Sequence, residues 1–323
     1  MIYFIFNTGN INCKREVRAP EGAGCLSLTD AFEERINMSY RILKKEYLNP
    51  TVIRMHIEAP LVARKAQAGQ FIILRTVEDG ERIPLTVADY DRECGWVSII
   101  FQVVGATTEQ LSYMNEGDSI CDFVGPLGMP TELDGLSRIL VVGGGVGCAI
   151  ALPIARSAKE RGIEVVSIIG FRSRELVILE EDFRAYSDRL ICMSDDGSYG
   201  EKGTVTVPLK ELLEAGEHFD RVFAIGPLVM MKYVTEAVRP YPIPITVSMN
   251  PIMIDGTGMC GGCRLSLIGD DGERVVRFAC VDGPDFDGRQ VDFDEAMRRS
   301  RMYTAHERRA HEESCNLYRG LEK

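Results

Sequence analysis

Between residues 137 and 248, short apolar runs alternate with helical stretches, and this alternation restricts the fold more than any other pattern in the chain. Arg138-Ile-Leu-Val-Val, Glu164-Val-Val-Ser-Ile-Ile-Gly170, Asp220-Arg-Val-Phe-Ala-Ile-Gly226 and Pro244-Ile-Thr-Val-Ser-Met249 read as buried strands. Leu209 to Ala215 and Val229 to Arg239 have the helical period between them. Strands joined through helices need crossover connections, so the segment predicts a parallel, doubly wound α/β sheet, with ligands outside the carboxyl ends of its strands.

The first strand runs into Gly143-Gly144-Gly145-Val146-Gly147 and then into a helix. Glycines there let backbone N–H groups approach a pyrophosphate at the helix N-terminus. The strict G-x-G-x-x-G spacing is absent, and the plain alternative is a tight βα turn. Asp195-Asp196 through Gly203, and Gly226-Pro227, follow later strands of the same sheet and are placed for a nicotinamide nucleotide. Pro153 falls within the helix after the glycine turn, where a proline removes one hydrogen bond and kinks the axis.

From about 40 to 130 the period is that of strands. Val52-Ile-Arg-Met-His-Ile, Gln70-Phe-Ile-Ile-Leu-Arg and Trp96-Val-Ser-Ile-Ile-Phe-Gln-Val-Val are separated by turn signals at Asp79-Gly80 and Glu116-Gly117-Asp118. Short strands at this spacing predict a small antiparallel β-barrel. Arg82, Pro84 and Thr86 on one stretch, and Gly105, Thr107 and Thr108 on another, supply a cation and hydroxyls suited to a phosphate and a flavin ring. Threonine is also a common strand residue, so these positions alone decide little.

The segment from 250 to 290 holds Asp255-Gly-Thr-Gly-Met-Cys260-Gly-Gly-Cys263, then Cys280. This is the C-x4-C-x2-C…C spacing of a [2Fe–2S] loop with aspartate in the first place. Arg264 to Phe278 reads as a hairpin turning at Asp271-Gly272. Structural zinc would want four Cys or His ligands, usually in two close pairs. One Cys pair exists here and no His lies in the loop, which favours iron–sulfur over zinc or free thiols. Asp255-Gly256 is also a common turn pair.

The remaining features exclude rather than assign. The 323 residues suffice for two or three domains, and the net charge of −11 argues against nucleic acid. No run approaches a membrane span, and Met1-Ile-Tyr-Phe-Ile-Phe lacks a signal peptide's basic flank. Ten scattered cysteines in a long chain predict reduced thiols and a cytoplasmic location, with Cys121 and Cys148 as small core residues. The four histidines, His56, His218, His306 and His311, fall outside every candidate site and read as surface or tail residues. The expected divisions are an extension of unknown role at 1–37, the barrel at 38–130, the nucleotide domain at 131–249, the cluster loop and hairpin at 250–290, and a charged helix and tail at 291–323. Met38 opens the patterned part and is a second plausible start.

A barrel, a nucleotide sheet and a [2Fe–2S] loop in this order resemble the ferredoxin–NADP reductase superfamily. The branch it looks like most is that of the electron-transfer subunits of dihydroorotate dehydrogenase B. Closer still are the small subunits of NADH-dependent reduced ferredoxin:NADP oxidoreductase, also known as sulfide dehydrogenase subunits. Asp255-x4-Cys260-x2-Cys263-x16-Cys280 chooses between them, since the dihydroorotate branch has cysteine in the first place. The resemblance implies FAD in the barrel, with Arg82, Pro84, Leu85 and Thr86 as its flavin motif and Thr86 near the flavin N5. It departs from the family in that Arg82 lies four rather than three residues before Thr86 and Leu85 replaces tyrosine. It implies Gly105, Thr107 and Thr108 at the FAD pyrophosphate. It implies Gly143, Gly144, Gly145, Gly147, Arg172, Asp195, Asp196, Gly226 and Pro227 at NADH, with NADP(H) as the alternative, and Asp255, Cys260, Cys263 and Cys280 as cluster ligands. No side chain acts as acid or base. The implied partner is a large, glutamate-synthase-like flavoprotein with further iron–sulfur clusters, and ferredoxin through it. Alternatives are an electron-transfer subunit serving dihydroorotate oxidation, and a non-catalytic nucleotide- or zinc-binding module.

Overall fold

The computed structural model describes residues 40–302 and Thr304. The expected N-terminal extension, Met38, His306, His311 and the charged tail lie outside the described residues. The first unit comprises β1 (Tyr40–Asn49), β2 (Val52–Glu58), α1 (Pro60–Lys65), β3 (Phe71–Arg75), β4 (Ile83–Asp91), β5 (Trp96–Gln102), α2 (Ala106–Tyr113), β6 (Ser119–Ile120) and β7 (Asp122–Leu127). Its strands pair antiparallel in the order β6-β1-β2-β5-β4-β3-β7 and curl into a nearly closed barrel. Alternation sends Met55, Ile57, Ile72, Leu74, Ile99 and Phe101 inward, where they form one apolar core.

The second unit is β8 (Arg138–Gly144), α3 (Cys148–Glu160), β9 (Glu164–Phe171), α4 (Glu180–Tyr186), β10 (Arg189–Ser194), β11 (Glu201–Lys202), α5 (Thr206–Glu214), β12 (Arg221–Ile225), α6 (Leu228–Val238) and β13 (Ile245–Ser248). The chain then makes the cysteine loop, the two-stranded hairpin β14 (Arg264–Ile268) and β15 (Arg274–Phe278), β16 (Asp285–Asp287) and α7 (Phe293–Ser300). The second sheet runs β11-β10-β9-β8-β12-β13-β16. It is parallel as expected except for β16, which returns antiparallel along β13. The short strand β16 therefore stitches the far end of the cysteine segment to the nucleotide sheet.

Helix α3 is the element between the two units. It runs continuously through the buried ring of Pro153, so the proline does not end it. Ile154 and Ala155 share an apolar cluster with Val52, Ala88 and Ile100 of the barrel. Arg156 Nη1 meets Asp89 Oδ1 at 2.5 Å, and Arg54 Nη2 meets Asp182 Oδ2 at 3.2 Å across the same boundary.

Three expectations are corrected. Cys148 is a core residue, but Cys121 is exposed on the barrel, where its sulfur accepts from Arg75 Nη2 at 3.7 Å. His56 is not a surface residue: it stands edge-on to Trp96 with ring centroids 4.4 Å apart, and burial pushes its pKa down to about 4. Of the described cysteines, six are free thiols while Cys94 is disulfide-bonded. No helix among the described residues is long and apolar enough to cross a membrane.

Candidate functional site

A cleft of about 1180 Å³ opens at the carboxyl ends of β8, β9, β12 and β13, walled on its far side by Asn49, Thr51, Val52 and Gln102 of the barrel. Asn49 links the two walls. Its Oδ1 accepts N–H groups of Thr51 and Val52 at 2.9 and 2.8 Å, and its Nδ2 donates to Leu176 O at 3.3 Å. Gly144, Gly145, Gly147, Arg172, Asp195, Gly226 and Pro227 all line this cleft. Asp196 does not. It turns back on its own loop, with Oδ1 accepting from Ser198 N and Oγ at 2.9 and 2.6 Å. Gly143 lies beneath the turn against Cys148.

The glycines serve different ends. Gly145 has φ +56° and open space where a side chain would begin, so it is the turn residue that faces the open cleft. Gly147 is a contact residue. A Cβ there would stand 2.5 Å from Ile225 O and 2.6 Å from Gly226 Cα. The glycine turn and the Gly226-Pro227 loop therefore touch backbone to backbone and form one continuous rim.

The barrel residues lie apart from the cleft lining. Thr86 pairs across from Phe71, and Pro84 across from Ile73. Phe71 and Ile73 point out of the barrel and belong to the apolar cluster that also contains Met253, Cys263 and Cys280. Thr86 and Pro84 thus share the barrel face that packs on the cysteine loop. Leu85 and Ile83 pack instead toward the barrel core, so the position three residues before Thr86 holds no cation. Arg82 is on the rim, 41% exposed, with one nitrogen 3.4 Å from Asp122. Thr107 donates to Glu81 Oε2 at 3.1 Å, and Thr108 Oγ1 accepts from Gly105 N at 3.0 Å. Gly105 begins α2 with nothing within 4 Å of the place where a Cβ would be. That leaves an open helix N-terminus suited to an anion.

In the cysteine loop, Gly256, Gly258 and Gly261 take positive φ of 77°, 82° and 66°. A Cβ at Gly256 would collide with Leu127 and Ile73, so the loop presses directly on β3 and β7. Asp255 Oδ2 accepts Cys260 N–H at 2.9 Å, and its Oδ1 lies 3.5 Å from Cys260 Sγ. The Thr257 N–H, together with that of Cys260, holds the Asp255 carboxyl below the usual carboxylate range. Cys263 and Cys280 are buried with sulfurs 3.2 Å apart. Burial, then the bond to Cys263, pushes the Cys280 thiol up to about 12.

The four donors therefore fall into two pairs. Among the described residues no three His, Cys, Asp or Glu converge on a single point. Two ligands of one tetrahedral metal with bonds of about 2.3 Å stand roughly 3.7 Å apart. Asp255 with Cys260 and Cys263 with Cys280 each come close to that separation. Two ligands for each of two irons is the binuclear arrangement, whereas structural zinc would gather all four around one centre.

Sequence reasoning missed the barrel wall of the cleft and one buried carboxyl. Asp285 on β16 stands across from Ser248, which lines the cleft. Thr131 Oγ1 donates to Asp285 Oδ2 at 2.6 Å, while Oδ1 is sealed from solvent without a partner. Burial pushes the Asp285 pKa up to about 6, against the opposing effects of Thr131, Ser248 and Arg221. A carboxyl raised on folding stabilises the fold below its unfolded value and loses that contribution as pH rises through about 6. The loss is on the order of 3 kcal/mol. Asp285→Asn, which keeps the acceptor for Thr131, is expected to gain stability relative to the parent at pH 8 but not at pH 4.5. Thermal unfolding at the two pH values checks this, and an equal difference at both would refute it.

The comparisons with known proteins agree with this geometry. A family model for the iron–sulfur cluster binding domain of dihydroorotate dehydrogenase B matches residues 250–292. The chain is 44% identical over 271 residues to the dihydroorotate dehydrogenase B (NAD(+)) electron transfer subunit homolog of Thermotoga maritima, covering 84% of this chain and 94% of that protein. It is 32% identical over 251 residues to the dihydroorotate dehydrogenase B (NAD(+)) electron transfer subunit of Streptococcus pneumoniae, covering 76% and 94%. A solved chain of NADH-dependent reduced ferredoxin–NADP oxidoreductase, described for flavin-based electron bifurcation, superposes with TM-score 0.79 at 42% identity, covering 86% of this chain and 98% of that one.

Proposed function

This chain belongs to the family of dihydroorotate dehydrogenase B electron-transfer subunits and their homologues, and we propose that it passes electrons between NAD(H) and a larger partner subunit through FAD and a [2Fe–2S] cluster. The observation that carries this reading is the split of Asp255, Cys260, Cys263 and Cys280 into two ligand pairs, on a loop pressed against the barrel face that bears Thr86. Held there, FAD would supply hydride exchange with NADH and the cluster one-electron transfer.

The protein's part is to bind, orient and exclude water. The rim of Gly144, Gly145, Gly147, Gly226 and Pro227 would receive the dinucleotide, with Arg172 and Asp195 at the far side of the cleft. Gly105, Thr107, Thr108 and Arg82 would hold the flavin's phosphates, and Pro84 and Thr86 its ring, while the Leu85 side chain is left out because it packs toward the barrel core. Asp196 is left out of the binding set because its carboxylate is committed to Ser198.

The partner is proposed to be a glutamate-synthase-like flavoprotein, and the assembly to split electron pairs between ferredoxin and a nicotinamide nucleotide. The solved relative described for flavin-based electron bifurcation supports the splitting of electron pairs, and the chain is proposed to work in the cytoplasm. The purified protein should be brown-yellow and show a [2Fe–2S] EPR signal after NADH. A colourless, zinc-containing preparation would refute the reading. Orotate formation with the co-purified partner would overturn the choice of partner alone.

Asp255 supplies a sharper test. A carboxylate is harder than a thiolate and can take a proton, so its replacement alters the iron it binds. Asp255→Cys is expected to retain the cluster but shift its midpoint potential and flatten the pH dependence of that potential. If redox titrations across pH 6 to 9 give curves superimposable on the parent, Asp255 is not a ligand.

A further inference from the structure

Residues 250–283 leave the nucleotide sheet after β13 and return at β16, and both ends of this excursion are fastened at one place. The Met249 N–H donates to Pro284 O at 2.9 Å, so departing and returning backbone are tied together. The Met129 N–H donates to Gly283 O at 2.6 Å, tying the return to the segment that leaves the barrel. That segment is held in turn by the barrel. Gln70 Nε2 donates to Gly128 O at 2.9 Å, and Gln70 O accepts the Val87 N–H at 3.0 Å, one residue beyond Thr86. An unbroken run of hydrogen bonds thus connects the Thr86 strand to the point where the cysteine segment rejoins the sheet.

The joint is packed as tightly as it is bonded. A Cβ on Gly128 would stand within about 3 Å of Phe71, Gly283 O and Pro284, and one on Gly69 would meet Thr131 Oγ1 at 2.1 Å. One side-chain contact between the units closes it: the hydroxyl of Thr131, on the barrel's exit segment, donates to Asp285 Oδ2 at 2.6 Å. Asp285 Oδ1 has no hydrogen-bond partner, so the carboxyl takes its orientation from Thr131. The proposed reading gives the two packed faces beside this joint their redox groups.

We propose that Asp285 is a positioning residue that, through Thr131, fixes the spacing between the Thr86 face of the barrel and the cysteine loop, and so governs the rate at which single electrons pass between flavin and cluster. Asp285 reaches the cleft only through Ser248, and the rim proposed for the dinucleotide is built on β8 and β12, so hydride delivery should be the step affected least. The two electrons of each NADH still reach the flavin, and their onward passage to the cluster one at a time is what slackens.

The holoprotein carrying Asp285→Ala, Thr131→Val or the conservative Asp285→Asn is mixed with NADH, and flavin bleaching and cluster reduction are followed separately. Hydrogen exchange at 128–131 and 283–285 gives a readout independent of turnover. Asp285→Ala and Thr131→Val should leave flavin bleaching within about twofold of the parent, slow cluster reduction about tenfold, and deprotect both segments. Asp285→Asn should restore most of the rate. If Asp285→Ala does not fold, Thr131→Val carries the same expectation, being only a methyl-for-hydroxyl exchange. Unchanged cluster reduction, or an equal slowing of both phases, overturns the proposal. Absence of flavin and cluster from the parent protein would overturn the functional reading as well.

Discussion

Cys263→Ala is expected to abolish the cluster signal and to leave the protein yellow rather than brown. Cys263 is 1% exposed, and its sulfur stands 3.2 Å from Cys280, so the pair is the buried half of the donor set. Removing one sulfur leaves one iron with a single protein ligand. The exposed half, Asp255 and Cys260, cannot compensate because its backbone is held by Cys260 N–H to Asp255 and by the positive-φ glycines. The packing cost is small by comparison. Cysteine to alanine in the cluster of Met253, Leu265 and Phe71 deletes one atom, a loss of about 1 kcal/mol. Fold and flavin content should therefore survive while iron and acid-labile sulfide fall to background. Cys121→Ala, at an exposed thiol on the barrel, is the control that should change nothing. A full-intensity [2Fe–2S] spectrum in Cys263→Ala would sink the ligand assignment.

The order of the units could be read from the chain because each has a different hydrophobic period. Alternation at Val52–Ile57, the continuous apolar run at Ile139–Val142 and the mostly apolar Val165–Ile169 gave barrel and sheet, and the buried faces follow them. The cysteine loop was equally plain, since ligand spacing is local. What could not be read is what depends on pairing between distant segments. β16 is only Asp285–Asp287, and nothing in that triplet says that it will lie along β13. Without that pairing Asp285 is one more acid in an acidic tail, and its contact with Thr131, 154 residues away, is invisible. Arg82 fell between the two cases. Its charge was visible, but only the strand register shows that Ile83 and Leu85 turn inward while Arg82 remains at the rim. His56 was misplaced because a histidine on an alternating strand gives no sign of which face the neighbouring Trp96 will cover.

Gly147→Ala is expected to be the most damaging single substitution at the cleft. Gly147 has φ −59°, which any residue adopts, so the requirement is steric and not conformational. The added Cβ would lie 2.5 Å from Ile225 O, 2.6 Å from Gly226 Cα and 2.9 Å from Gly226 N. All three are backbone atoms at the end of β12, the strand between β8 and β13 in the sheet, and none can rotate away as a side chain would. The strain must instead separate the glycine turn from the Gly226-Pro227 loop, the two halves of the cleft rim proposed for the dinucleotide. Overpacking of this kind costs typically 1–3 kcal/mol, and here it also misplaces the ligand-facing N–H groups. Gly145→Ala has the opposite signature. Its Cβ would meet open space, but φ of +56° strains the backbone by about 1 kcal/mol. Gly147→Ala should therefore lower the melting temperature by several degrees and weaken NADH binding by at least about tenfold. Flavin and cluster content should be unchanged, because neither site touches this turn. Titration of NADH against the flavin spectrum reads the binding loss directly, and parental affinity in a Gly147→Ala protein would show that the turn is a packing element and not the nucleotide's seat.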